Sequence, residues 1–257
     1  MTSDVRAARA VKQHDSLESL SARAFEVGRK LDLSACRFEP DFMTKWRHQY
    51  WRLCDAWNVG PVGKRVLKPL VPVLSPFLPN PQIRLDVVQY YYFLAGLVET
   101  LELRQIVEVG TYFGGSTLAM RIAQRRLPDP GDTRLVTVDI KHFRPSVLLP
   151  EHGVTRVFGD SLAGDTLRKV QEGVRGSIDM LYLDATHFYD QVKAEFHRYC
   201  ELFQPTWVVL DDIHLSESME RFWQEVVEDF GPLAFDATAA AHREPTAGFG
   251  IVHYGGR

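Results

Sequence analysis

Short runs of apolar residues recur from residue 105 onward, and most of them are hydrophobic at consecutive positions. Strands buried on both faces of a parallel sheet have this pattern, whereas half-exposed strands alternate between apolar and polar residues. Amphipathic stretches separate the runs, so the chain predicts an α/β fold with a doubly wound, mostly parallel, Rossmann-like sheet. The predicted strands are 105–110, 134–140, 155–160, 178–184 and 206–212, and the helices between them are 116–126, 162–172 and 191–203.

The C-terminal part has a different pattern. A helix is predicted over 217–229, and two strands over 232–238 and 248–255 follow without a helix between them. Two such strands favour an antiparallel hairpin at the sheet edge, which makes seven strands in all. The connection 239–247 lacks periodicity, and we expect a mobile loop there.

The region before the sheet predicts helices over 16–31, 41–57 and 84–103. Six prolines within 58–83 exclude one regular helix there. We therefore expect residues 1–83 to form a helical cap, lid or oligomerisation region, and residues 84–257 to form the main domain. The aromatic side chains of the second helix could wall a pocket, although packing is the commoner role for aromatics at helical spacing; they are Trp46, Tyr50, Trp51 and Trp57.

Charge and composition narrow the function classes. The chain has 257 residues and a net charge of −3, so no overall cationic field favours nucleic acid. Residues 1–85 nevertheless carry a net charge of +6 and the remainder −9. The three cysteines are widely spaced and indicate free thiols in a reducing compartment. Because no apolar run approaches the length of a membrane span or resembles a secretory signal, we expect a cytoplasmic protein without membrane contacts.

Acidic residues end four of the five parallel strands. Ligands in open α/β sheets bind outside the carboxyl ends of the strands, so a row of carboxylates there outlines a cleft. These residues are Asp139, Asp160, Asp184 and Asp211.

The segment EVGTYFGGST (108–117) predicts a strand, a glycine turn and a helix start. Gly110 permits a sharp turn, and Ser116 or Thr117 is predicted to cap the helix. The dinucleotide pattern G-x-G-x-x-G fails because Tyr112 stands at its second glycine, and no lysine follows to make a P-loop.

This segment resembles the first motif of class I S-adenosylmethionine (SAM) methyltransferases. The form E-[IVL]-G-x-Y-x-G-x-S is similar to that of the catechol and macrocin O-methyltransferase-like branches, and the resemblance covers residues 84–255. It implies a SAM site in which Asp139 binds the ribose hydroxyls, while Asp160 and Ser161 lie beside the adenine. Other readings are a buried structural pair for Glu108 and a helix cap for Asp139. The resemblance places the methionine part of SAM against Glu108, Gly110 and Ser116, and it counts Thr111, Tyr112 and Gly115 among the SAM-binding residues.

Three carboxylates, those of Asp184, Asp211 and Asp212, are expected to converge at neighbouring strand ends. They would repel one another unless a cation joined them, which favours a divalent ion with oxygen ligands, Mg²⁺ above all. Members of the resembling families hold such a metal at these positions. The ion would orient and acidify the acceptor hydroxyl. The alternative for Asp212 is a helix cap.

His187 follows Asp184 by three residues, where catechol-type enzymes carry a lysine base. Histidine is a competent base near neutral pH, and His214 is its rival in this chain. The alternatives for His187 are a metal ligand, a group that supports one, or a loop histidine bonded to the backbone.

The sequence thus predicts a SAM-dependent O-methyltransferase of natural-product type, acting on a hydroxyl of a small molecule such as a sugar, diol or phenol. One alternative is a metal-independent O- or N-methyltransferase that uses His187 or His214 as base, and another is a non-catalytic partner protein with the same fold. Hydroxylase-type relatives share the Asp-x-x-His pattern. The partner expected is a hydroxylated small molecule, with homo-oligomers forming through the N-terminal region.

Overall fold

The computed structural model of the chain describes residues 16–36, 88–142 and 146–256. The predicted helix over 41–57, the proline-rich stretch 58–83 and the cap aromatics lie outside the described residues. The described part of residues 1–83 contains helix α1 (Leu17–Gly28) and a short 3₁₀ turn, Ser34–Cys36. The boundary between a cap and a main domain therefore stays a prediction.

A mixed seven-stranded sheet forms the centre of the fold, with strand order β3-β2-β1-β4-β5-β7-β6. The first five strands are parallel, and β7 pairs antiparallel with both β5 and β6. The predicted fold class, including the antiparallel C-terminal pair, is confirmed. The strands are β1 (Gln105–Val109), β2 (Arg134–Asp139), β3 (Thr155–Phe158), β4 (Met180–Leu183), β5 (Trp207–Asp211), β6 (Ala234–Asp236) and β7 (Phe249–Val252).

Five further helices join these strands or precede them. They are α2 (Gln89–Leu101), α3 (Gly115–Gln124), α4 (Gly164–Gly173), α5 (Tyr189–Phe203) and α6 (Glu217–Phe230). Alternate residues of each strand point to opposite faces, so Ile106 packs in one apolar layer and Val107 in the other. One layer contains α1, α2 and α3, and the other contains α4, α5 and α6. Both faces of the sheet are therefore covered, which explains the continuous apolar runs in the sequence.

Helix α1 packs directly on α2. A Cβ atom at Gly28 would overlap the carbonyl of Tyr92, and one at Gly96 would overlap the carbonyl of Ala24. Leu20 and Phe25 of α1 are buried in the same apolar layer as the α2 residues. This part of the N-terminal region therefore belongs to the core that supports the sheet.

Two further predictions can be compared with the described residues. Cys36 and Cys200 are buried, and neither forms a disulfide bond within the described residues. Within the ranges described, none of the helices combines the length and apolarity that a bilayer crossing requires.

Candidate functional site

The site is built around the turn after β1. Gly110 adopts a φ of 106°, a region that favours glycine, and a Cβ atom there would overlap the backbone carbonyl of Asp184. Its N–H donates to the carbonyl of Val138 at 2.8 Å. The turn therefore lies against the carboxyl ends of β2 and β4, where the sequence predicted a cleft.

Helix α3 begins just beyond this turn, and its N-cap is Gly114, with a φ of 85° and no side-chain cap. The prediction that Ser116 or Thr117 caps the helix is therefore wrong, because both lie inside its first turn. The first helical hydrogen bond runs from Leu118 N to Gly114 O. The N–H groups ahead of it have no partner within the helix, which leaves donors at this end of the cleft. Tyr91 packs so closely on Gly115 that a Cβ atom there would overlap its ring.

Glu108 is fully buried beneath the turn. Its Oε1 accepts a hydrogen bond from Ser116 Oγ at 2.6 Å, and its Oε2 accepts from Thr137 Oγ1 at 2.7 Å and from the hydroxyl of Thr117. The Thr111 and Thr137 hydroxyls are 2.6 Å apart and extend this network. Burial raises the pKa of Glu108 to about 7, although the three hydroxyls lower it. Glu108 thus links β1, β2 and α3, and its contact with a methionine ammonium group stays a prediction.

Asp139, at the end of β2, lies beside the turn. Its Oδ2 accepts a hydrogen bond from Tyr112 N at 2.8 Å, and its Oδ1 accepts from Lys141 N at 3.3 Å. Tyr112 has a φ of 45°, an uncommon conformation that points its N–H at this carboxylate. Each carboxylate oxygen can accept more than one hydrogen bond, so Asp139 retains acceptor capacity toward the cleft.

Asp160 and Ser161 follow β3. Asp160 is exposed and accepts a hydrogen bond from Leu162 N at 3.0 Å. Ser161 is nearly buried, and its hydroxyl donates to Glu195 of α5, which also accepts from Gln191 at 2.9 Å. Burial raises the pKa of Glu195. Glu195 and Gln191 were not predicted as site residues, because the sequence pattern places both on an ordinary amphipathic helix.

The acidic cluster at the ends of β4 and β5 contains a cation from the protein itself. Arg243 donates from Nε to Asp211 Oδ1 at 2.9 Å and from a terminal nitrogen to Asp211 Oδ2 at 3.1 Å. The same terminal nitrogen donates to Asp212 Oδ1 at 2.7 Å. The guanidinium lies over the ring of Tyr90, with its carbon 4.6 Å from the ring centre. Arg243 was not predicted as a site residue, because the connection that carries it shows no periodicity.

The connection 239–247 between β6 and β7 makes defined contacts. Arg243 N donates to the carbonyl of Thr238, and Gly248 N donates to that of Glu244. The ring of His242 stacks on Phe25 of α1 with 4.0 Å between ring centres. The connection therefore contacts the core, and its mobility stays a prediction.

Burial raises the pKa values of two carboxyls in the cluster, those of Asp184 and Asp212. The pKa of Asp184 is raised by burial and by the neighbouring Asp211 and Asp212 carboxylates, and Tyr182 donates to its Oδ2 at 3.0 Å. The pKa of Asp212 is raised to about 6 by burial and by Asp211, while His187 and Arg243 lower it. These two carboxyls hold protons at higher pH than free aspartates do.

The two candidate bases have different surroundings. His187 Nε2 lies 3.1 Å from Asp212 Oδ2, at the rim of the acidic cluster. His214 Nε2 lies 2.8 Å from Asp236 at the end of β6 instead, and its ring packs against Gly248. The structure therefore brings His187 together with the cluster and pairs His214 with another carboxylate.

Comparison with known proteins identifies the segment that carries this site. Residues 107–213 match the family Methyltransf_24, which is described as a methyltransferase domain. The chain contains a methyltransferase domain. This domain match begins in β1 and ends just after Asp212, so it includes the glycine turn, Asp139 and His187. The resemblance and the enzyme class inferred from the sequence are confirmed at the level of a methyltransferase. A comparison with curated proteins found no match.

Solved structures share the fold of the methyltransferase domain. Cofactor-bound Rv0187 from MTB is 22% identical, with a TM-score of 0.50 over 78% of this chain and 95% of its own. The O-methyltransferase TomG from Streptomyces achromogenes, in complex with SAM, is 23% identical, with a TM-score of 0.49 over 65% of this chain and 79% of its own. An O-methyltransferase from Bacillus cereus in complex with SAH is 19% identical, with a TM-score of 0.45 over 73% and 90% of the two chains. At 22% identity the likeness to Rv0187 establishes the fold alone, and nothing is argued from the other two structures, whose TM-scores are below 0.5.

The acidic cluster of the methyltransferase domain does not fit the predicted Mg²⁺ ion as it stands. Across the described ranges, no three His, Cys, Asp or Glu side chains are arranged to hold a metal ion. Oxygens of Asp211 and Asp212 that such an ion would use are hydrogen-bonded to the Arg243 guanidinium. The Mg²⁺ site therefore stays a prediction that this geometry does not support.

Proposed function

We propose that the methyltransferase domain transfers the methyl group of SAM to a hydroxyl group of a small molecule. The observation that carries this proposal is the family match over 107–213, because it spans the strand ends where the glycine turn, Asp139 and the His187–Asp212 pair lie. Each of these features has the chemistry that one part of the reaction needs.

The SAM site proposed lies over the ends of β1 and β2. The absence of a side chain at Gly110 lets a ligand approach the backbone, and the first-turn N–H groups of α3 favour the negatively charged carboxylate of the methionine part. Asp139, already oriented by Tyr112 N, would accept the two ribose hydroxyls. Asp160 and Ser161 are proposed to lie beside the adenine, at the next strand end along the sheet.

His187 is proposed as the general base. If Nε2–H donates a hydrogen bond to Asp212, the imidazole is neutral and its Nδ1 can take the proton from the acceptor hydroxyl. The oxygen then forms a bond to the methyl carbon as the bond from that carbon to the SAM sulfur breaks. The electron pair of the broken bond stays on sulfur, so the products are the methyl ether, S-adenosylhomocysteine (SAH) and protonated His187.

A metal-independent transfer is the version that the described residues support, because Arg243 bonds the carboxylates that an ion would use. We therefore route no step through Mg²⁺. His214 is the weaker base candidate, since Asp236 already pairs with it outside the acidic cluster.

The acceptor class is inferred from the surface beside His187. Phe188 is 74% exposed and Tyr112 is 40% exposed, so aromatic surface is available to a bound molecule at the rim of the site. A phenol, a diol or a natural-product sugar has the hydroxyl and the apolar face that such a site would take. The basic segment that precedes the sheet is proposed to add to this pocket or to a contact between copies of the chain.

Product analysis tests the proposal. The full chain is incubated with SAM and a panel of phenols, diols and sugars, and products are examined by mass spectrometry and NMR. The proposal expects SAH and an O-methylated product that depend on His187. Methylation at nitrogen would favour the N-methyltransferase alternative, and addition of oxygen without SAH would contradict methyl transfer.

A further inference from the structure

Arg243 occupies the position among the strand-end carboxylates where a metal ion was predicted. Its Nε and one terminal nitrogen donate to the two oxygens of Asp211, a paired arrangement that matches the planar guanidinium to the carboxylate. A third hydrogen bond, at 2.7 Å, reaches Asp212. One side chain therefore bridges both carboxylates that end β5.

This contact is buried. The side chains of Asp211, Asp212 and Arg243 are 2%, 12% and 19% exposed. Removing one partner from a buried ion pair leaves the other charge without compensation, which is strongly unfavourable. The Asp211 and Asp212 carboxylates thus depend on a positive charge at this position, and the chain supplies it.

The guanidinium is held in place from several directions. Tyr90 of α2 lies against its face, 4.6 Å from the guanidinium carbon to the ring centre. The preceding residue, His242, stacks on Phe25, and Arg243 N donates to the carbonyl of Thr238. A cation fixed in this way needs no recruitment from solvent, and it would repel a divalent ion that approached the same oxygens.

The same carboxylate connects Arg243 to the candidate base. Asp212 Oδ1 accepts a hydrogen bond from Arg243, and Asp212 Oδ2 lies 3.1 Å from His187 Nε2. Asp212 also has a φ of 59°, and its N–H donates to the carbonyl of Gly248, so its backbone is held in place as well. The orientation of the imidazole is therefore set through Asp212 by Arg243.

We propose that Arg243 is a built-in cation that replaces a divalent metal ion in this site and positions Asp212 against His187. The part that concerns His187 rests on the proposed methyl transfer, whereas the replacement of a metal ion does not. Arg243 is thus a positioning residue, and it makes the site independent of divalent ions.

The test measures Mn²⁺ binding to the metal-free full chain by electron paramagnetic resonance, with Mn²⁺ as a probe for hard divalent ions. We expect the wild type to bind no Mn²⁺ up to about 1 mM. Arg243→Ala and Arg243→Gln leave two carboxylates without a cation, and two carboxylates plus water suffice for such an ion. We therefore expect these variants to bind about one Mn²⁺ per chain, at least about 10-fold more tightly than the wild type.

Three controls sharpen the result. Arg243→Lys keeps a positive charge and should bind no Mn²⁺, and Arg198→Ala removes an exposed surface charge on α5 and should behave as the wild type does. Asp211→Asn combined with Arg243→Ala should abolish the gained site.

Thermal melting with and without Mn²⁺ shows whether a variant needs the ion to fold, and rescue of Arg243→Ala folding by Mn²⁺ supports the proposal.

Two outcomes would overturn the inference. One is tight binding of Mn²⁺ to the wild type that Asp211→Asn abolishes, since the ion would then displace Arg243. The other is failure of both neutral variants to bind Mn²⁺ or to be stabilised by it. SAH binding to the wild type is measured in the same preparation, so loss of the proposed function is recognised separately from loss of this inference.

Discussion

His187 Nε2 and Asp212 Oδ2 lie 3.1 Å apart at the carboxyl edge of the sheet. Asp212 also accepts a hydrogen bond from Arg243, so the three side chains are connected in the order Arg243, Asp212, His187. A histidine oriented by a carboxylate has a defined tautomer and one nitrogen free to accept a proton. His214 has a carboxylate partner too, Asp236, so what separates the two histidines is that Asp212 belongs to the acidic cluster and Asp236 does not.

Substitution of the two histidines should therefore have unequal effects. We expect His187→Gln to lower methyl transfer to an accepted substrate by about 100-fold or more, since positioned general bases contribute that much. His214→Gln, the matched control, should lower it by less than about 5-fold. The measurement is transfer from SAM labelled in its methyl group, with SAH affinity as a check on folding. A larger loss from His214→Gln would make His214 the base.

The pKa of Glu108 predicts a pH dependence of stability. Because burial raises this pKa to about 7 in the folded state, the folded chain holds more protons than the unfolded chain between about pH 4.5 and 7. The free energy of unfolding should therefore fall as pH rises through this window, by up to about 3 kcal/mol from this group. Glu108→Gln removes the titrating group.

Denaturant unfolding of the wild type and of Glu108→Gln across pH 4.5 to 8 measures this contribution. The expected result is that the free energy difference between the two proteins shifts in favour of the variant as pH rises from about 5 to 8. Equal slopes for the two proteins would show that Glu108 titrates normally, and the buried hydroxyl network would then need another explanation.

Gly110 should not tolerate a side chain. Gly110→Ala combines an unfavourable φ with overlap on the Asp184 carbonyl, so we expect it to lower the free energy of unfolding by about 3 kcal/mol or more. SAH affinity should fall as well, because the turn would move. Gly131→Ala is the control, since nothing lies within 4 Å of a Cβ atom there, and it should change stability by less than about 0.5 kcal/mol. Equal stability of the two variants would contradict the close approach of β1 and β4.

The crossing of α1 and α2 gives a second stability prediction. Gly96→Ala would push a methyl group into the backbone of Ala24, and we expect a loss of about 2 kcal/mol or more in chemical unfolding. Gly164→Ala, at the start of α4, meets no neighbouring atom and should stay within about 1 kcal/mol of the wild type. A neutral Gly96→Ala would mean that α1 is not packed on the core.

The strands were predictable because burial on both faces leaves a clear mark on the sequence. The run QIVEV has apolar residues on both sides of the sheet, and it forms β1 as predicted. Glu108 interrupts this run, and the sequence could show that it was unusual but not which groups surround it. Its three hydroxyl partners come from two other elements, so only the folded chain reveals that they meet at one carboxylate.

The role of Arg243 could not be predicted from the sequence pattern. The sequence indicated that three aspartates converge and require a positive charge, and that requirement was sound. It could not indicate that the charge comes from a residue about thirty positions away in an aperiodic connection. The start of α3 is a similar case, since Ser116 looks like a cap residue until Glu108 is seen to take its hydroxyl.

Calorimetric titration of the full chain with SAH tests most directly whether the methyltransferase domain has the cofactor site that methyl transfer from SAM requires. We expect binding of about one SAH per chain. We also expect Asp139→Ala to weaken binding by about 10-fold or more, because hydrogen bonds to a charged group are lost. Asp165→Ala, which removes an exposed carboxylate on α4, should leave the affinity unchanged. Absence of SAH binding to the folded wild type would contradict the account.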